Sequence, residues 1–263
     1  VGGAIRLAET FAVGIASGLL SGMFGIGGGV VTTPAIRLLL GAPALIAVGT
    51  PLAAIIPATV TGAVSYVRSG VADRRAGVLV GLSGALTAVA GAWATRLVGG
   101  TLVLLVTALV ILLTAADMVL RVLRPQPDRP DAATLEQRPP SVPVLVAIGV
   151  LTGFYSGFLG LGGGFILVPM LTRWLRFPIK RAIGTSLVSI TLLAIPALAT
   201  HWYLGNIDWA IALALVVGVV PGAFLGSKIT LGASDRTVNI GFAVLLVIVA
   251  VWLGVAEVAG LGA

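Results

Sequence analysis

Two glycine-rich strings carry the densest chemical signal in the sequence: Gly-Ile-Gly-Gly-Gly at Gly25–Gly29 and Gly-Leu-Gly-Gly-Gly at Gly160–Gly164. Each interrupts a strongly apolar run. Glycine inside a helix costs about 1 kcal/mol relative to alanine, so four glycines in five residues predict that the helix unwinds there. A helix restarting near Gly29 or Gly164 would expose unpaired peptide N–H groups and about half a positive elementary charge. Such an end is a ready anion site, which makes Gly25, Gly27, Gly28, Gly29, Gly160, Gly162, Gly163 and Gly164 the candidate substrate contacts. Neither string is a nucleotide loop. Both lack the lysine and hydroxyl of the P-loop, and Val30 and Phe165 stand where a dinucleotide fingerprint needs its last glycine.

Thr50, Thr185 and Ser186, with Ser189 nearby, offer hydroxyl donors to an anion's oxygens. The competing role for such hydroxyls is to bond back to their own helix. His201 is the single histidine and the natural proton carrier. It adjoins Trp202 and Tyr203 at the end of an apolar run, where an interfacial aromatic belt is expected. Asp117 is the carboxylate deepest in an apolar run and therefore a coupling candidate. Its spacing of four residues from Arg121 favours a helical ion pair instead. Asp73 and Asp208 precede apolar runs as N-caps would, and Gly18 with Gly22 has the spacing of close helix packing. No Ser/His/Asp set, metal-ligand cluster or paired intramembrane carboxylates can be assembled, so no catalytic residue, cofactor or metal is expected and an enzyme is disfavoured.

The elements that must position these residues are membrane helices. Hydrophobic residues make up 58% of 263 and charged residues 10%, and the mean hydropathy is +1.14. Apolar runs long enough to cross the hydrocarbon core, roughly 20 helical residues each, recur along the whole chain. The absence of cysteine removes disulfide and thiolate chemistry. The formal charge of +7 does not indicate nucleic acid, because the 16 lysines and arginines sit singly or in small groups between apolar runs, as topology determinants do. Residues 1–24 contain Glu9 and no small-residue cleavage site, and are expected to be membrane helix rather than a leader.

The chain is a duplication. GLLSGMFGIGGGVVTTP at 18–34 returns as GFYSGFLGLGGGFILVP at 153–169, an offset of 153 − 18 = 135. Without a gap, the same offset carries Pro43 onto Pro178, Ala47–Thr50 onto Ala182–Thr185, Gly70 onto Gly205, Asp73 onto Asp208 and Gly91 onto Gly226. The expected organisation is a first transmembrane repeat at 1–123, a polar, proline-rich linker at 124–142 and a second repeat at 143–263. Each repeat should hold a glycine-broken hairpin or re-entrant element and three transmembrane helices.

Charge sets the relative orientation. With an odd number of net crossings per repeat, one face collects Arg68, Arg74, Arg75, Arg121, Arg124, Arg129, Arg138, Arg173, Arg176, Lys180, Arg181, Lys228 and Arg236, and the other keeps Arg6, Arg37 and Arg96. Thirteen against three predicts inverted repeats, a cytoplasmic linker and both termini outside. Inversion aims two helix N-termini at one midplane site, the arrangement of inverted-repeat transporters.

These features resemble the sulfite exporter TauE/SafE family. The resemblance rests on S-G-x-x-G-[IL]-G-G-G-x-x-x-x-P at Ser21–Pro34 and Ser156–Pro169, A-x-G-T at 47–50 and 182–185, and G-x-x-D at 70–73 and 205–208. It implies an all-α secondary transporter of the bacterial inner membrane that moves sulfite or an organosulfonate such as sulfoacetate by alternating access. The partners expected are the small anionic substrate and the bilayer, with coupling to H+ or Na+ and a homodimer both compatible. The alternatives are a passive anion channel and a permease for another small anion such as a carboxylate. The second half departs from the first in carrying Ser186 for Pro51 and His201 for Tyr66.

Overall fold

The computed structural model describes residues 2–98, 100–123 and 140–258. Most of the linker, and the Arg121 side chain expected to pair with Asp117, lie outside the described residues. Eleven helices run through the described residues: α1 (Gly2–Phe24), α2 (Gly29–Leu39), α3 (Ala44–Gly49), α4 (Pro51–Arg68), α5 (Arg74–Val98), α6 (Gly100–Leu123), α7 (Val142–Leu159), α8 (Gly164–Trp174), α9 (Ile179–Tyr203), α10 (Trp209–Gly232) and α11 (Asp235–Val258). Among the described residues six stretches are long and apolar enough to cross a bilayer, one of them α3 and α4 taken together as Ala44–Arg68.

Local sequence explains where the helices stop. The glycine strings fall between α1 and α2 and between α7 and α8. At 11 residues each, α2 and α8 are about 16 Å long, half of the roughly 30 Å hydrocarbon core. Pro51 has no N–H to donate to the ladder, and α3 ends just before it. Thr50 keeps right-handed helical geometry (φ −58°, ψ −42°), so α4 continues in the same direction. Ser186 stands at the equivalent place in the second half, where α9 runs unbroken for 25 residues.

The two halves interlock. The most extensive helix pairs are α1 with α10 and α5 with α7, and the 135-residue offset turns one pair into the other. The same holds for α4 with α10 and α9 with α5. Small residues make these seams. Gly18 and Gly22 lie against the backbone of Val219 and Ala223, while Gly153 and Gly157 lie against Gly84 and Ala88. In lipid, such close backbone approach supplies the packing that a hydrophobic effect cannot.

Polar contacts tie the ends. Arg181 Nη2 donates to Asp73 Oδ2 at 2.7 Å and Arg173 Nη1 to Asp117 Oδ1 at 2.8 Å. These pairs bring the start of α5, the end of α6, the end of α8 and the start of α9 to one end of the bundle. Arg173 is thus a partner of Asp117 that sequence spacing did not suggest. Aromatic rings mark the opposite end: Trp202 packs on Trp209, Trp93 on Tyr203, and the Arg96 guanidinium lies 5.3 Å from the Trp93 ring.

Candidate functional site

Each glycine break is held open by left-handed backbone. Gly28 (φ +84°, ψ −22°) and Gly163 (φ +76°, ψ −6°) cap α2 and α8, in a region where a Cβ costs roughly 1–2 kcal/mol. The left-handed turn lets the Gly28 carbonyl accept from Val31 N–H (3.0 Å), Thr32 N–H (3.1 Å) and the Ser17 hydroxyl (3.0 Å). The Gly163 carbonyl accepts in the same way from the N–H groups of Ile166 (3.2 Å) and Leu167 (3.0 Å).

The structure brings the two breaks against each other. A Cβ placed on Gly27 would lie 3.7 Å from the Cα of Gly162, and one on Gly29 would lie 2.6 Å from the Cα of Leu161. Reciprocally, one on Gly164 would lie 2.6 Å from the Cα of Ile26. Ile55 and Ile190, equivalent under the offset, each touch both Gly27 and Gly162. Residues 24–30 and 158–165 are all buried.

Within this contact, hydrogen-bond supply exceeds demand. Among the described turn and cap bonds, no acceptor serves the peptide N–H groups of residues 26–30 or 161–165. A buried donor without a partner costs about 1–3 kcal/mol. Five such donors on each side are open to an acceptor from outside the chain, as peptide groups at a helix N-terminus are. The Ser21 and Ser156 hydroxyls, equivalent under the offset, are fully buried with no partner. The Cβ of Ser156 lies 3.2 Å from a Cβ built on Gly163, and that of Ser21 lies 3.7 Å from one built on Gly28. Sequence reasoning did not single these serines out as contacts, although they open the repeated S-G-x-x-G motif. Thr33 is likewise buried without a partner.

The hydroxyls that were singled out are committed to bonds between the halves. Thr50 Oγ1 accepts from Asp208 N–H and Thr185 Oγ1 from Asp73 N–H, each at 3.0 Å. Each threonine therefore anchors the turn leading into a helix of the other half, and its own hydroxyl proton is not spent in that bond. Ser186 Oγ reaches the break itself, 2.8 Å from the Gly25 carbonyl and 2.8 Å from that of Ile183. Ser189 donates to the Gly77 carbonyl at 3.0 Å. Asp208 and Asp73 do cap helices: Asp208 Oδ1 accepts from Ala210 and Ile211 N–H, and Asp73 Oδ1 from Ala76 N–H.

His201 and Asp117 form their bonds to residues outside the glycine strings, Gly157 and Arg173. Trp202 and Tyr203 are exposed, as a belt requires, but His201 points inward and is fully buried. Its Nε2 donates to the Gly157 carbonyl at 3.0 Å, and its Nδ1 lies 3.3 Å from Asn206 Nδ2. Tyr66, its equivalent, donates to the Gly22 carbonyl at 3.0 Å. The two side chains hold corresponding backbone atoms. Among the described residues no three His, Cys, Asp or Glu side chains gather as metal ligands would.

Comparison with known proteins finds membrane transporters. The probable membrane transporter protein YunE of Bacillus subtilis is 25% identical over 256 residues, covering 90% of this chain and 93% of the relative. A probable membrane transporter protein of Haemophilus influenzae is 29% identical over 261 residues, covering 91% and 94%. One from Xylella fastidiosa reaches 34% over 109 residues, covering 41% of this chain and 42% of that protein. No solved structure matches significantly. The sulfite exporter TauE/SafE family profile matches residues 10–253, and the chain, a multi-pass membrane transporter, belongs to that family.

Proposed function

We propose that the chain is a secondary transporter of a small sulfur oxyanion, sulfite or an organosulfonate such as sulfoacetate, working by alternating access. The carrying observation is the pair of apposed breaks, whose acceptorless peptide N–H groups stand beside the buried hydroxyls of Ser21 and Ser156. The glycines at 27–29 and 162–164 bind the anion through their backbone, whereas Gly25 and Gly160, singled out with them by sequence, spend their N–H groups on the Ser21 and Ser156 carbonyls and Ser186 fixes the break at Gly25. Ile55 and Ile190 close over both breaks, which favours a gated carrier over an open channel. The test is thermal stability of the purified protein against sulfite, sulfoacetate, thiosulfate, sulfate and acetate. A sulfur oxyanion raises the melting temperature while acetate does not, because only a ligand of the folded state stabilises it. Equal shifts with every anion, or none, would remove the assignment.

Opposite orientation of the repeats in the bacterial inner membrane, with the linker cytoplasmic, is part of this proposal. The pairs Arg181–Asp73 and Arg173–Asp117 support it, because parallel repeats would separate these residues across the bilayer. The chain lacks cysteine, so single cysteines report topology without background. Introduced at Arg75 and Arg236, they react with a membrane-impermeant thiol reagent from the cytoplasmic face. Introduced at Leu39 and Tyr203, they react from the outer face. Labelling of Arg236→Cys from the side opposite Arg75→Cys contradicts inversion.

Coupling to H+ or Na+ completes the transport cycle. The geometry supports a positioning role for His201, since Tyr66 makes the equivalent bond in the first half. Accordingly, His201→Tyr retains proton-dependent flux in proteoliposomes. Flux that survives but loses its dependence on the proton gradient would make His201 the proton carrier.

A further inference from the structure

The repeat supplies an internal control for a cavity outside the proposed anion site. At one end of the bundle, Asp73 caps α5 and its Oδ2 accepts from Arg181 Nη2 at 2.7 Å, with the Arg181 guanidinium stacked 4.3 Å from the Phe177 ring centre. The 135-residue offset maps Asp73 onto Asp208, Arg181 onto Ile46, Phe177 onto Ala42 and Leu79 onto Ala214. The carboxylate is kept, while its cation and the ring on which that cation stacks are replaced by smaller apolar residues. In their place lies a cavity of about 720 Å³ lined by Asp208, Ile46, Ala42, Ala214, Pro43 and Thr10, among others. That volume falls within the roughly 300–1,000 Å³ typical of small-molecule sites. Asp208 Oδ1 accepts from the backbone of α10, and no cationic side chain pairs with Asp208 among the described residues.

We infer that this cavity is a binding site for a small organic cation: a guanidinium or primary ammonium head on a short apolar stem, held by the Asp208 carboxylate in the place Arg181 takes beside Asp73. The apolar walls receive the stem, and the carboxylate and the cationic head form a charge-assisted bond. The carboxylate excludes anions, so this ligand differs in sign from the transported one. The site is independent of the transport proposal.

n-Propylguanidinium chloride is the probe, added to the purified full-length protein with equimolar potassium chloride as the control. The probe raises the melting temperature of the wild type by several degrees at saturation, and potassium chloride does not. Asp208→Asn keeps an oxygen to cap α10 but removes the charge, and abolishes the shift. Ile46→Arg supplies the guanidinium from within the chain and also abolishes it, while Ala42→Phe fills the cavity and weakens it. No shift in the wild type, or an undiminished shift in Asp208→Asn, overturns the inference. If Asp208→Asn fails to fold, the decision passes to Ile46→Arg, where an unchanged shift has the same consequence. A sulfite titration in parallel reads the anion site alone.

Discussion

Replacing Gly28 and Gly163 together by alanine severely weakens anion binding in a protein that still folds. Both residues sit at positive φ, where a Cβ costs roughly 1–2 kcal/mol per position. At Gly28 the added carbon would also lie 2.5 Å from Ser17 Oγ, whereas at Gly163 it meets nothing closer than 3.1 Å. The chain escapes this strain by moving toward right-handed backbone, which extends the flanking helices through the break. The N–H groups of residues 26–30 and 161–165 then acquire carbonyl partners and are withdrawn from the ligand. A penalty of about 2–4 kcal/mol for the pair, at about 1.4 kcal/mol per tenfold, weakens binding by roughly 30- to 1,000-fold. The measurement is the sulfite-dependent melting shift, with helix content monitored by circular dichroism. Gly41→Ala is the control, because Gly41 is also left-handed (φ +64°) but opens onto free space away from the breaks. Equal loss of binding in Gly41→Ala, or full binding in the double variant, would refute the site.

The glycine density and its repetition made the breaks legible in the sequence, because backbone cost depends on residue type alone. So did the caps at Asp73 and Asp208, whose function is local. What spacing does not carry is the partner across the bundle. Asp117 has Arg121 four residues away in sequence, yet Arg173 reaches it from another helix. Thr50 and Thr185 are polar at corresponding places, and only the interlocked halves show each receiving an N–H from the opposite repeat. Ser21 and Ser156 look like small packing residues until burial without a partner is visible. His201 shows both sides of this. Its neighbours Trp202 and Tyr203 obey the belt pattern, while the helix turns His201 itself inward to do for Gly157 what Tyr66 does for Gly22.

Gly157→Val disrupts the seam between α5 and α7 and lowers stability by about 3 kcal/mol or more, at the upper end of overpacking costs. A Cβ at residue 157 would fall onto the Ala88 carbonyl oxygen, with the Ala88 carbonyl carbon at 2.8 Å and the Ala92 nitrogen at 2.9 Å. Backbone cannot rotate aside as a side chain can, so the helices must separate, and dispersion contacts along the seam weaken with distance. Separation also pulls the Gly157 carbonyl from His201 Nε2 and leaves a buried polar pair unsatisfied. Gly22→Val, equivalent under the offset, drives into the Ala223 backbone of α10 and endangers the Tyr66 bond in the same way. The two variants should therefore lose similar amounts of thermal stability in detergent, whereas Gly232→Val, whose Cβ meets nothing within 4 Å, should lose little. If Gly157→Val and Gly232→Val melt together, the α5–α7 backbone contact contributes nothing. The interlocking of the halves would then have to rest on the polar ties at the bundle ends, with Arg181–Asp73 foremost among them.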